Sequence, residues 1–96
     1  MRLNILGYDY TIFLSTVREL DSLGTAHTSN LEIKIAADIP FQQQQSTMIH
    51  EIIEAVQWHL GLKLPHRVIA ALETGLYQVL TANGVDLAPL LKEKEG

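Results

Sequence analysis

The chain contains no cysteine. That absence excludes a disulfide framework and any thiolate metal site. Basic residues are also few, with seven Lys and Arg against eleven Asp and Glu, for a formal net charge of −4. They are scattered rather than clustered, so the chain lacks the electrostatic footprint of a nucleic-acid binder. No apolar run approaches the roughly 18 residues that a spanning helix needs, and no membrane partner is expected. The opening run from Met1 to Tyr8 lacks the long apolar stretch and small-residue cleavage site of a secretory signal, which makes the expected location cytoplasmic. Repeats and linkers are absent too, and the one biased segment, Gln42 to Gln45, reads as an exposed first helical turn. What is present is 96 residues, 47% hydrophobic, enough for one modest core and a single domain over 1–96.

The first third has the period of strands. Leu3 and Ile5 alternate with polar neighbours, and Tyr8, Tyr10, Ile12 and Leu14 recur at every second residue. A hairpin turning near Gly7 follows. The stretch from Asp21 to Asn30 is rich in turn formers and reads as a loop. Leu31, Ile33 and Ile35 then alternate with Glu32 and Lys34 as a third strand.

Asp38-Ile39-Pro40 marks the change to helix, with Asp38 as an N-cap and Pro40 in the tolerated first turn. This helix is predicted to run from about Pro40 to Leu60, with Gly61 as a left-handed stop. Met48, Ile49, Ile52, Ile53, Val56 and Leu60 fall within an arc of roughly 140°, which is the face predicted to bury. A second helix opens at Pro65 and ends before Asn83-Gly84, with Ile69, Leu72, Leu76, Val79 and Leu80 as its apolar stripe. Gly75 inside it is unfavourable by about 1 kcal/mol relative to alanine, which suggests close approach by another element or simple tolerance. The end, Lys92-Glu93-Lys94-Glu95, reads as solvated.

Four residues could carry chemistry: His50, Glu51, Glu54 and Glu73. His50 and Glu54 are one turn apart, about 40° around the helix, beyond the edge of the apolar arc. Side chains at that spacing can hold one ion, and zinc accepts carboxylate oxygen as well as imidazole nitrogen. The adjacent Glu51 lies close enough to activate a bound water. On its own, such a His/Glu pair is more often a solvated surface contact. Glu73 adds a second observation, since it lies within the apolar stripe of the second helix. A carboxylate there needs a partner, either a cation or a hydrogen-bonding group such as His50 or the neighbours of Tyr77. His59 projects nearly opposite His50 on the same helix, His66 reads as solvent-facing, and His27 lies in the loop. Trp58 either lines a cleft or simply packs.

The segments Thr47-Met48-Ile49-His50-Glu51-Ile52-Ile53-Glu54-Ala55-Val56 and Leu72-Glu73-Thr74-Gly75-Leu76-Tyr77-Gln78-Val79-Leu80 resemble a family of short zinc metallopeptidases from phages and prophage regions. Its pattern is a small N-terminal sheet, a helix with His-Glu-x-x-His or His-Glu-x-x-Glu, and a second helix ending in a Gly-Leu-Tyr-Gln-Val-Leu-like segment. The likeness is loose over the strands and close over residues 47–80. It is also similar to the gluzincin scheme, in which a glutamate on a following helix is the third ligand. The resemblance implies His50, Glu54 and Glu73 as zinc ligands, Glu51 as general base, and a peptide or protein as substrate. Glu54 stands where the commoner pattern has a second histidine, which makes the donor set more anionic and harder.

The expected architecture is α+β, a zincin-like minidomain with a small antiparallel sheet of about three strands on two antiparallel helices. The expected function is metal-dependent hydrolysis, and the rival is a phage interaction module, metal-free or with a structural metal, that has lost catalysis.

Overall fold

Two left-handed residues, Leu6 (φ 52°) and Gly7 (φ 90°), reverse the chain between β1 (Arg2–Ile5) and β2 (Tyr8–Ser15). Two-residue hairpin turns of this hand match the twist of the strands they join. Asn4 supports the turn, its Oδ1 accepting from the Gly7 N–H at 3.1 Å and its Nδ2 donating to Asp9 at 3.0 Å. The predicted hairpin is present at the predicted place. The computed structural model describes residues 2–91, so the Lys92–Glu95 end lies outside the described residues.

After β2 come a single helical turn, α1 (Val17–Leu20), and two strands, β3 (Gly24–His27) and β4 (Glu32–Ala36). Two long helices follow, α2 (Phe41–His59) and α3 (His66–Ala82), and then a 3-10 turn over Ala88–Leu91. The class is α+β, and the sheet has four strands in the order β1-β2-β4-β3. It is mixed rather than wholly antiparallel, because β4 pairs with β2 in parallel and with β3 antiparallel. Ile33 and Ile35, both fully buried, draw β4 into the centre. The stretch from Asp21 to Asn30, expected to be all loop, therefore contains the edge strand β3. Gly24, Thr25 and Ala26 carry too little side chain to signal a strand locally, and pairing with β4 supplies what local preference lacks.

Ile5, Tyr10, Ile12, Ile33, Ile35, Met48, Ala55 and Leu91 form the core between sheet and α2. Tyr10 is fully buried, and its hydroxyl meets His59 Nε2 at 2.6 Å, which satisfies the phenol at the end of the helix. Burial, and secondarily Tyr8, raises the Tyr10 pKa.

Both helix starts lie one residue beyond the prolines that precede them, and Gly61 (φ 69°) ends α2 as expected. Asp38 has another role than the one predicted. It accepts from the Val17 N–H at 2.9 Å and so caps α1, while α2 begins without a side-chain cap. The buried face of α2 is also rotated from the predicted arc. Thr47, Glu51 and Ala55 join Met48 and Ile49 inside, whereas Leu60 stays exposed. Strand β3 explains the rotation, since a Cβ placed on Gly24 would lie 2.7 Å from Thr47 Cγ2 and 3.3 Å from Glu51 Cγ. On α3 only Ile69 is buried, and Leu72, Leu76 and Val79 of the predicted stripe remain exposed.

Candidate metal centre

Helix α3 returns antiparallel along α2, which brings residues late in one helix beside residues early in the other. Tyr77 donates to Gln45 at 3.0 Å near one end of this pairing. One turn back along α3, Glu73 Oε2 accepts from Ser46, the next residue of α2. The other Glu73 oxygen receives His50 Nδ1 at 2.7 Å. This answers how a carboxylate on the inner side of α3 is tolerated: both oxygens are hydrogen-bonded by α2.

In a neutral His50 ring, the carboxylate at Nδ1 favours the tautomer with its proton there, the form in which Nε2 can bind a metal. Nε2 points toward Glu54, whose Oε1 is 3.5 Å away. For metal bonds of about 2.0–2.1 Å, two ligands of a tetrahedral ion lie ~3.3 Å apart, so this separation suits a shared ion. Gln57 steadies the same carboxylate from behind. Its Nε2 donates to Glu54 Oε2 at 3.0 Å, and its Oε1 accepts from the Leu64 N–H at 2.9 Å, tying the helix connection to the site.

The third member of the cluster is His66. Its ring centre lies 5.3 Å from that of His50, and ligand atoms of His50, Glu54 and His66 all fall within 4.8 Å of one another. This His/Glu/His group could hold a metal ion, and its donors are ones that zinc accepts. Of the residues singled out from sequence, His50 and Glu54 belong to it. Glu73 sits one bond further out, against the back of His50. His66, read from sequence as solvent-facing, is indeed exposed but is turned toward the cluster. A signal for it was available: His66 and Glu73 are seven residues apart, two helical turns, so a Glu73 that faces α2 implies a His66 that faces α2.

Beside the cluster opens a cleft of about 330 Å³, lined by Ser22, Leu23 and Gly24 from the β3 side and Thr47, His50 and Glu51 from α2, with His66 and Glu73 across from them. Glu51 is only 7% exposed. Burial pushes its carboxyl up to about 7; the neighbouring His50 pulls it down, and Glu54 and Glu73 push it further up. A carboxyl with that pKa at the wall of a cleft can take and return a proton near neutral pH.

The remaining aromatic residues are elsewhere. His59 stacks on Tyr8 with ring centres 4.2 Å apart and meets Trp58 edge-on, so Trp58 lies away from the cleft and is 59% exposed. His27 ends β3 at the sheet edge. None of the helices is long and apolar enough to cross a membrane, among the described residues. Comparison with known proteins returns no matching family model, no matching curated protein and no matching solved structure.

Proposed function

We propose that this chain is a metal-dependent hydrolase, with zinc as its ion and a peptide bond as its target. The convergence of His50, Glu54 and His66, with both histidines lining a cleft that Glu51 also lines, is the observation that carries the reading. His50 and Glu54 from α2 and His66 from the start of α3 would hold the ion. The donor set is two imidazoles and one carboxylate, the composition common among hydrolytic zinc sites, which leave a fourth position open. When bound, the ion acts as a Lewis acid that acidifies water and polarises a carbonyl.

The protein's own residues do the rest. Glu73 holds the His50 ring in one orientation and makes its Nε2 a better donor. Gln57 fixes Glu54 so that Oε1 remains free. Glu51 is the proton carrier, taking a proton from water and delivering it to the leaving amine inside a cleft that limits competing solvent. The edge strand β3 borders this cleft at Gly24, with Leu23 just before it. An edge with unpaired backbone groups can align an extended peptide by strand pairing, which supports a peptide over a compact small molecule. Resemblance to the short phage-type metallopeptidases points the same way.

A second reading is supported by one feature. The Ser46–Glu73–His50 chain is closed without an ion, so the fold could serve as an interaction module with this cluster as mere structure. Cleavage of a mixed peptide library separates the two. The hydrolase reading expects zinc-stimulated cleavage that falls 10²–10⁴-fold in Glu51→Gln, with zinc still bound. It expects His66→Ala to lose both zinc and cleavage. A zinc-loaded wild type that cleaves nothing would favour the module.

A further inference from the structure

Among the described residues, the apolar core between the sheet and α2 takes nothing from α3, and neither do the partly buried apolar side chains packed against it. Helix α3 buries Ile69 alone, with Val68, Ala70 and Leu80 half-buried. Its side-chain ties to α2 are polar: Glu73 bonds to Ser46 and His50, and Tyr77 to Gln45. Nor is the helix strong by itself. It begins without a side-chain cap and carries Gly75 in its interior, and a helix of 17 residues draws most of its stability from packing.

The flanks of α3, by contrast, are fixed. Before it, Gln57 holds the Leu64 N–H at 2.9 Å; after it, Leu87 and Leu91 are buried. The helix can therefore leave α2 while the sheet, α2 and both anchors stay in place. Sparsely packed elements open in this sub-global way.

The metal cluster straddles this weak contact. His50 and Glu54 belong to α2 and His66 to the first turn of α3, with their ligand atoms within 4.8 Å of one another. An ion held by all three requires α3 to be closed on α2. Opening parts His66 from the other two and Glu73 from His50, and it removes from the cleft the wall that His66 and Glu73 form.

We propose that α3 is a metal-operated latch: zinc at His50, Glu54 and His66 closes it onto α2, and chelation frees it to open while the sheet stays folded. The proposal rests on the ion of the hydrolase reading but not on its reaction, and it makes free zinc the control on whether the cleft is assembled. If the open form does not hold the ion, free zinc at about 100 times its dissociation constant favours the closed form by a further ~100-fold.

Backbone hydrogen exchange, in chelator and at that zinc concentration, tests the latch, with bound zinc measured alongside. In chelator the α3 amides are expected to exchange well before those of β2 and β4. Zinc is expected to slow them about 100-fold. His66→Ala, at an exposed position, should keep the chelator pattern and lose the slowing. Tyr77→Phe removes only the hydroxyl that donates to Gln45; it should speed α3 exchange with and without zinc and retain the slowing. Protection of the sheet in the same experiment verifies that each variant folds. If α3 in chelator exchanges only together with the sheet, the proposal is overturned. Bound zinc that leaves α3 exchange unchanged, or slowing that survives His66→Ala, also overturns it; each of the first two results leaves hydrolysis standing. Protein that takes up no zinc overturns the latch and the hydrolase reading together. Slowing of α3 in a protein that cleaves no peptide keeps the latch and removes the hydrolase.

Discussion

Glu73 accepts His50 Nδ1 at 2.7 Å across the α2–α3 pairing, so the carboxylate stands behind the imidazole rather than beside it. A metal at Nε2 would be on the far side of the ring from Glu73. The resemblance to gluzincin sites gives Glu73 the role of third ligand, whereas this arrangement suits it to orienting the His50 ring, with His66 in the group that could hold an ion.

The two roles predict different variants. As an orienting group, Glu73→Gln keeps an oxygen for Nδ1–H and loses only the charge, so zinc affinity should fall by no more than about tenfold. Glu73→Ala removes the support and should weaken binding by 10–100-fold. His66→Ala should weaken it beyond either. Isothermal titration with zinc ranks the three, and a Glu73→Gln protein that binds no zinc while His66→Ala binds normally would restore Glu73 as the ligand.

What the residues disclosed in advance follows from the range of the interactions involved. The β1–β2 hairpin and both long helices rest on local periodicity and on Gly7, Gly61 and Pro65, all visible in short windows. The edge strand β3 was not visible, because Gly24-Thr25-Ala26-His27 becomes a strand only by pairing with β4. That one omission propagates into the site. Without β3 over it, Glu51 reads as a motif residue at the border of the helix face; with β3, it is a buried acid. Likewise Leu72, Leu76 and Val79 define an apolar stripe, but the stripe alone does not say which part of it meets α2. Glu73 and His66 together do, once they are seen to share one face.

Gly24 is where β3 can come this close to α2. Gly24→Ala would place its Cβ 2.7 Å from Thr47 Cγ2 and 3.2 Å from the Lys34 carbonyl oxygen. Overpacking of this kind typically destabilises by about 1–3 kcal/mol, and the melting temperature should fall accordingly. Adding Thr47→Ser removes the clashing methyl and should return part of the loss, a coupling measurable in a double-mutant cycle. If Gly24→Ala melts with the wild type, the strand does not approach the helix as described.

Gln57 links the Glu54 carboxylate to the 61–64 turn. Gln57→Leu leaves the Leu64 N–H without its acceptor and Glu54 without its donor. The expected loss of stability is about 1–2 kcal/mol by chemical denaturation, accompanied by weaker zinc binding because Glu54 can then rotate. Unchanged zinc affinity alongside the stability loss would confine Gln57 to a structural role at the turn.

The buried acid gives the last prediction, for protein stripped of metal. Glu51 titrates near its ordinary 4.5 in the unfolded chain and at about 7 when folded. Below about 4.5 both states hold the proton, and the full benefit of burying a neutral carboxyl is present. Between the two values the folded state holds a proton that the unfolded state has released, so stability falls as pH rises. Above about 7 the loss is complete, at an upper size of roughly 3 kcal/mol. Glu51→Gln has no such proton to lose. Its stability relative to wild type should therefore rise steadily from pH 4.5 to 7 and then level off. That is also the sign expected of a residue kept for chemistry at the expense of the fold. Denaturant midpoints of both proteins at pH 4.5, 6, 7 and 8, each with chelator, give the difference curve. A flat curve would mean that Glu51 is ionised and well solvated at neutral pH, and the proton-carrier role would fall with it.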